Sequence, residues 1–401
     1  MGRLFVGNFD FEHRLAATTV GRRDAVRRVS EDLGFVWSTI ACADDVLLTP
    51  VMPDREFLPQ LAANGCAELH LTRSVDDVDR SLDVCPWGWD VEVDAWCRRH
   101  GFAADVPDLS TVRAINAREF SATLETQHGE ILPGSFSVGS WPVQTLTDLS
   151  PLLDASRQAS GEWVIKTQWS MAGREVLRGQ AAALNSQQQS WVETRLARDG
   201  MVFFEPWMEK LAEVSWQFDV PHAQAGPPHL LGATQLITNA RGAHVGNRVL
   251  RHEHWMEWRD VLAVATDTAQ LAQDRGYRGP LGIDSMKYRD PTGRPAYRAL
   301  QDINARWTMG RLALGLDRLA EPEADVSWWH IRWAVSQSSR DWWQRLLANC
   351  GASVRVVRTS PFEVDGRPVE LGTLAVISTD LEAMRYVENR MLTSPNVGRT
   401  R

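Results

Sequence analysis

Short apolar runs alternate with helix-like spacing along the first hundred or so residues. Arg3-Leu4-Phe5-Val6 predicts a strand that Gly7-Asn8 turns. From Arg22 to Leu33 the apolar positions Val26, Val29 and Leu33 fall three and four apart, a helical spacing that Gly34 is placed to stop. Phe35 to Ala41, Asp44 to Pro50 and Glu68 to Leu71 predict further strands, and Val91 to His100 predicts a short helix. Strands alternating with helices predict a parallel sheet. Gly7 lacks the further glycines of a dinucleotide fingerprint, so NAD binding is not expected. Trp87 and Trp89 could line a ligand site, but packing in a core or interface is the more ordinary use of such rings.

The middle of the chain changes period. Ser110 to Leu124 predicts a helix with Ser110 as N-cap, and Glu125 to Ser150, richer in Gly, Ser and Pro, predicts a connecting loop. A strand from Gly161 then ends in Lys166 and feeds Ser170-Met171-Ala172-Gly173-Arg174. Small residues there let backbone N–H groups approach phosphate oxygens; a hairpin with a lysine at its rim is the plainer alternative. After a helix around Gly179 to Arg198, Met201 to Phe204 runs as a buried strand into Glu205-Pro206-Trp207-Met208, and Ala212 to Phe218 alternates as a second strand. An acid and backbone groups at such a crossing can read an adenine edge while Trp207 and Met208 sandwich the ring. Alternatively, Glu205 only marks where a strand reaches solvent. Leu230 to Ile237 predicts a strand and Asp260 to Gly276 an amphipathic helix. His252-Glu253-His254, read as a strand, lacks a third ligand for metal.

Leu281 to Gly310 carries the densest chemistry. Two alternating runs flank Asp-Pro-Thr-Gly-Arg-Pro, which predicts a hairpin, and Asp284 and Asp302 lie symmetrically about Gly293. Asp302, Asn304 and Arg306 are spaced by two, so a strand would point all three to one face. Two carboxylates and an amide oxygen make a hard-oxygen set suited to Mg²⁺, with a guanidinium beside it. The alternative is a solvated hairpin with ordinary surface charges. A helix from about Arg311 to Leu319 follows. Beyond an acidic joint at Glu321 come a Trp-rich run (Trp328, Trp329, Trp333) read as core or interface, a helix over Asp341 to Asn349, and strands over Ser353 to Arg358 and Leu371 to Ser378 around an Asp365-Gly366 turn.

Composition narrows the function. At 401 residues the chain has room for two or three domains, and its charge of 43 − 51 = −8 argues against a general nucleic-acid or anionic-membrane binder. No apolar run approaches the roughly twenty residues of a membrane span. The N-terminus lacks a signal-peptide core, and Val6 breaks the myristoylation pattern. Five cysteines without CxxC spacing predict reduced thiols in a cytoplasmic protein. Lysine occurs only at Lys166, Lys210 and Lys287, so 43 − 3 = 40 basic residues are arginine, and each lysine is suspect of a task arginine cannot do.

In order, Asn116-x-Arg118, strand-Lys166-small loop, Glu205-linker-Glu213, Gly-Ile-Asp284 and Asp302-Ile-Asn304-Ala-Arg306 resemble the ATP-grasp superfamily of carboxylate–amine ligases, from roughly Ser110 to Leu319. The most specific piece is Asp302-x-Asn304, which the family commonly writes Glu-x-Asn. The resemblance implies an α/β chain of the α+β ATP-grasp type. Residues 1–110 would form an N-terminal α/β (pre-ATP-grasp) domain, 111–204 a first lobe with the phosphate-covering loop, 205–320 a second lobe with the metal site, and 321–401 a C-terminal α/β extension. It implies that Arg118 and Lys166 contact ATP phosphates under Ser170, Ala172 and Gly173. Glu205 and the backbone near Trp207 would read adenine, and Glu213 would hold the ribose. Asp284, Asp302 and Asn304 would coordinate one or two Mg²⁺ ions, with Mn²⁺ as a substitute, and Arg306 would neutralise an acyl phosphate. Two departures are Arg118 where the family often has Lys, and Asp302 where Glu is usual. The expected function is an ADP-forming ligase that activates a carboxylate and joins it to an amine, both small molecules or peptides. The expectation includes no nucleic-acid or membrane partner and is compatible with a homodimer. The alternatives are a non-catalytic nucleotide- or partner-binding protein, or a small-molecule kinase, on the same fold.

Overall fold

The computed structural model describes residues 2–16, 23–128, 139–159, 161–169, 175–180, 183–239, 242–333 and 338–393. Three principal sheets account for the architecture. The first is parallel, in the order His70–Thr72, Val46–Leu48, Arg3–Val6, Asp83–Pro86, as the alternating pattern predicts. The helix Val91–His100 appears with the predicted bounds; Asp90 caps the backbone N–H groups of Glu92 and Val93, and Gly101, at φ 76°, ends it.

Phe35 to Ala41 is not a strand. The chain runs from the helix Arg23–Leu33 directly into a 3₁₀ helix, Gly34–Thr39, in which every residue is buried. Apolar Phe35-Val36-Trp37 followed by small Ser38 and Thr39 shows neither strand nor helix period. Tertiary contact decides it: Trp37 stacks on Phe5 with ring centroids 4.6 Å apart and meets Trp87 and Trp307 edge-on.

The helix expected over Ser110 to Leu124 is two helices, Leu109–Ile115 and Arg118–His128, and the cap is Asp108, which accepts from Thr111 N–H at 2.8 Å. The interruption falls at Asn116, whose Oδ1 accepts the Ala305 N–H at 3.0 Å. That bond ties the helix pair to the chain just after Asn304. The connecting loop expected over Glu125 to Ser150 is shorter than predicted, because the second helix runs through Glu125, Trp141–Val143 forms a strand and Leu146–Ala159 a helix.

The second sheet is antiparallel, in the order Trp141–Val143, Val202–Pro206, Trp163–Thr167, Val176–Gly179. Period-two alternation splits its faces. Trp163, Ile165, Val202 and Phe204 pack with Leu149, Leu153 and Val192 of the flanking helices. Val164, Lys166, Phe203 and Glu205 therefore share the opposite face.

The third sheet has eight strands in the order Pro295–Asn304, Gly279–Arg289, Glu209–Val220, His229–Thr238, His244–Leu250, Asp325–Arg332, Leu371–Ser378, Val354–Arg358. The helix Arg259–Asp274 covers one face through Val261, Val264, Ala265, Ala269 and Ala272. Trp328 and Trp329 are core, as expected, with their indole N–H groups donated to Thr359 and Ser327. Strands from beyond Glu321 continue this sheet, since Trp329 lies opposite Gly246. His252-Glu253-His254 lies in a 3₁₀ helix, not a strand, with the His252 ring against Trp255. Trp37→Ala is expected to cost about 3–5 kcal/mol, the usual range for a buried large aromatic; a denaturant midpoint unchanged from the parent would contradict this role.

Candidate functional site

Hairpin register assembles the first half of the site. Asp284 lies opposite Asp302 on one side and Ser215 on the other, so three neighbouring strands contribute one transverse row. Beyond Asp284 the register shifts and Met286 faces Arg298, so four residues of one strand advance against two of the other. Such a bulge re-aims the residues beside it. Gly282 sits where a Cβ would come within 2.6 Å of Thr308 Cγ2, which explains the glycine before Asp284.

The polar side chains of this row form a chain. Thr308 Oγ1 donates to Gln217 Oε1 at 2.6 Å, Gln217 Nε2 to Ser215 Oγ at 2.7 Å, and Ser215 Oγ to Asp284 Oδ1. On the other side Arg306 Nη2 donates to Asn304 Oδ1 at 2.8 Å and Asn304 Nδ2 to Asp284 Oδ2 at 3.4 Å. Arg306 is also paired with Glu12 of the N-terminal region at 2.6 Å and lies over the Trp87 ring at 5.5 Å. Burial, reinforced by the neighbouring Asp302 charge, pushes the Asp284 carboxyl up to about 7. Among the described residues no three His, Cys, Asp or Glu side chains could hold a metal together. The donor set here is two carboxylates and a carboxamide, which suits a hard cation that keeps several waters. A divalent charge between Asp284 and Asp302 would remove the repulsion that raises Asp284, so these residues fit Mg²⁺.

The second half is a buried ion cluster. Lys166 Nζ lies 2.6 Å from Glu205 Oε2. Arg298, only 2% exposed, reaches Glu205 Oε2 through Nη1 at 2.9 Å and Glu125 Oε1 through Nε at 2.5 Å. Ser140 Oγ donates to Glu205 Oε1. Arg118 links this cluster to the row, with Nη1 3.6 Å from Glu205 and Nη2 3.7 Å from Asp302. Burial alone would raise the Glu205 carboxyl, yet Arg298, Lys166 and Arg118 outweigh it and hold it well below the usual carboxylate range. Burial, assisted by Arg118 and Arg298, outweighs the attraction of Glu205 and lowers the Lys166 ammonium. Burial raises Glu125 against the pull of Arg298.

Of the remaining expected residues, Glu213 accepts from Lys210 and, at 2.8 Å, from Gln301 Nε2. Trp207 donates its backbone N–H to Glu162 at 2.9 Å, and the Arg178 guanidinium lies 4.0 Å from its ring centre. Ser170, Ala172 and Gly173 lie outside the described residues. Arg298, Glu125, Ser140, Ser215 and Glu12 were not expected. One carried a readable signal: Arg298 shares the parity of Asp302 and Asn304.

No protein-family model matches the chain, and no curated protein matches it by sequence. Solved structures do. N5-carboxyaminoimidazole ribonucleotide synthetase from Thermus thermophilus is similar with a TM-score of 0.54 at 13% identity, over 98% of this chain and 97% of that one. The biotin carboxylase–β-γ-ATP complex from Campylobacter jejuni gives 0.54 at 10% identity, over 98% and 95%. The biotin carboxylase domain of Hydrogenobacter thermophilus 2-oxoglutarate carboxylase, in complex with MgADP, ADP and bicarbonate, gives 0.52 at 12%, over 99% and 91%.

The chain has the ATP-grasp fold. The second sheet supplies Lys166 and Glu205 and the third supplies Asp284, Arg298 and Asp302, and the contacts of Arg298 and Arg118 join the two halves of the site. Among the described residues no helix is long and apolar enough to cross a membrane.

In the metal-free chain, Asp284 keeps a proton up to about pH 7, whereas a free aspartate releases it near 3.8. Its contribution to stability is therefore full below 3.8 and lost as pH rises to about 7. In chelator, the thermal midpoint of the parent relative to that of Asp284→Asn is expected to fall from pH 5 to pH 8, and Mg²⁺ to raise the parent's midpoint at pH 8 but not at pH 5. Parallel pH profiles for the two proteins would contradict the assignment.

Proposed function

We propose that this chain is an ATP-dependent, ADP-forming ligase that activates a carboxylate as an acyl phosphate and joins it to an amine. The observation that carries the reading is the row Asp284, Asp302, Asn304 and Arg306, linked through Arg118 to Lys166 and Glu205, on an ATP-grasp fold. The similar structures from Campylobacter and Hydrogenobacter are complexes with β-γ-ATP and with MgADP, which supports nucleotide and Mg²⁺ in this cleft.

Lys166 and Arg118 bind the phosphates, and Ser170, Ala172 and Gly173 are assigned to the same phosphate-binding set. Glu205 receives the adenine amino group, the backbone beside Trp207 completes base recognition, and Glu213 holds the ribose. Asp284, Asp302 and Asn304 hold Mg²⁺, which when bound neutralises phosphate charge. The acceptor carboxylate attacks the γ-phosphorus and ADP leaves; the amine then attacks the acyl carbon, the C–O bond to phosphate breaks, and inorganic phosphate and the amine's proton are released, with Arg306 stabilising the anionic acyl phosphate and the tetrahedral species. We take residues 111–204 and 205–320 as the two lobes after an N-terminal domain of 1–110, with the strand Val202–Pro206 crossing the boundary and the strands of 321–401 extending the sheet of the second lobe. A second reading, nucleotide binding without ligation, draws on the shorter side chain of Asp302 and on the internal hydrogen bonds of Glu205.

Incubation with Mg·ATP, pooled carboxylates and pooled amines separates these readings. The ligase reading expects ADP and phosphate only when both acceptors are present, with a dehydrated product. AMP with pyrophosphate would overturn the acyl-phosphate route. Asn304→Ala or Asp302→Asn should abolish turnover while the circular dichroism and thermal midpoint stay near the parent's; full activity in either would remove the metal assignment. Lys166→Ala should weaken ATP binding by about 1.5–3 kcal/mol, the scale of a lost hydrogen bond to a charged group, as read by calorimetry.

A further inference from the structure

A carboxylate offers about four lone-pair sites, and in Glu205 all of them are used within the chain. Oε1 accepts from Ser140 Oγ and, at 3.4 Å, from Arg298 Nη2; Oε2 accepts from Arg298 Nη1 at 2.9 Å and from Lys166 Nζ at 2.6 Å. An incoming amino group can be received only if one of these donors leaves.

The donors are not equally bound. Arg298 is gripped from its other side by both oxygens of Glu125, at 2.5 and 3.0 Å. Ser140 is held to Glu125 through its backbone N–H at 3.1 Å. Lys166 has no second hydrogen-bond acceptor among the described residues. Its side chain is 16% exposed, on a flexible four-carbon stem, and two guanidiniums, Arg118 and Arg298, repel it. Arg298 is thus the fixed counter-ion, a positioning residue for Glu205, and Lys166 the displaceable one.

We propose that Lys166 and the exocyclic amino group of the purine occupy the same Glu205 lone pair in turn. The nucleotide's phosphates draw the ammonium away, and the vacated Oε2 position then accepts the base's amino group. Base recognition in this cleft is therefore conditional on phosphate. A nucleoside must displace Lys166 with nothing to receive it, whereas a nucleotide brings its own acceptor. This rests on the nucleotide-binding reading above.

The test uses the full chain with four probes: ADP, inosine diphosphate, adenosine and inosine. Inosine compounds carry a carbonyl where adenine carries the amino group. For the parent, ADP should bind at least about tenfold tighter than inosine diphosphate, the scale of one charge-assisted hydrogen bond, while adenosine and inosine differ by less than about twofold. In Lys166→Met the carboxylate is open in advance, so the adenosine preference over inosine should rise to about the tenfold seen with the diphosphates. Ligand-observed NMR titration reaches the millimolar affinities of nucleosides; Lys166→Ala replaces Lys166→Met if the latter fails to fold. Equal base preference for nucleosides and diphosphates in the parent overturns the proposal. So does an unchanged nucleoside ratio in the variant, or no adenosine binding to it. If ADP itself does not bind the parent, the nucleotide reading of the cleft falls and the exchange with it. That result is distinct from ADP binding without conditional selectivity, which sinks the exchange alone.

Discussion

The strand pairing of one hairpin positions everything else in the site. Because side chains alternate with period two, a one-residue slip between Gly279–Arg289 and Pro295–Asn304 would turn Asp284 and Asp302 to opposite faces. The observed register sets them opposite each other and beside Ser215. Beyond Asp284 the bulge advances four residues of Pro295–Asn304 against two of Gly279–Arg289, so Arg298 keeps the parity of Asp302 but lies further along the strand, where it pairs with Glu205 and Glu125. One strand therefore supplies both the acidic row and the central cation of the ion cluster.

That cluster is an unusual use of charge. Lys166, Arg118 and Arg298 face Glu205 and Glu125 in surroundings where an unpaired ion would cost several kcal/mol. Every member is held by at least one opposite charge, and the contacts cross from the third sheet to the second sheet and to the helix Arg118–His128. With three cations on two carboxylates, removal of either carboxylate leaves a buried cation uncompensated, so Glu205 and Glu125 tie the two sheets together as well as orienting the groups at the cleft. The acidic row is the reverse case: Asp284 beside Asp302 is a local excess of negative charge, which a divalent cation relieves.

Much of this was legible in the sequence because it rests on local pattern. The helix Val91–His100 has its cap and its glycine in the chain itself, and Asp284 does lie opposite Asp302, although beside the turn the strands pair symmetrically about Thr292, with Arg289 opposite Pro295, and only the bulge brings Asp302 rather than Leu300 opposite Asp284. What was not legible depends on distant contact. Phe35 to Ala41 reads as a strand until Phe5, Trp87 and Trp307 are brought around Trp37. Glu125 reads as the start of a loop until Arg298, 173 residues away, pairs with it. Glu12 approaches Arg306 only through the packing of the parallel sheet against the hairpin, which no spacing in either segment records.

The central claim is that the hairpin row holds a divalent cation beside a bound nucleotide. Mn²⁺ reports this directly, because its free-ion paramagnetic resonance signal is lost on binding. Titrated into the chain saturated with ADP, Mn²⁺ is predicted to be bound at one or two per chain, with binding lost in Asp284→Asn/Asp302→Asn while the fold is retained. Binding that is unchanged in the double variant, or no ADP-dependent binding in the parent, would contradict the account.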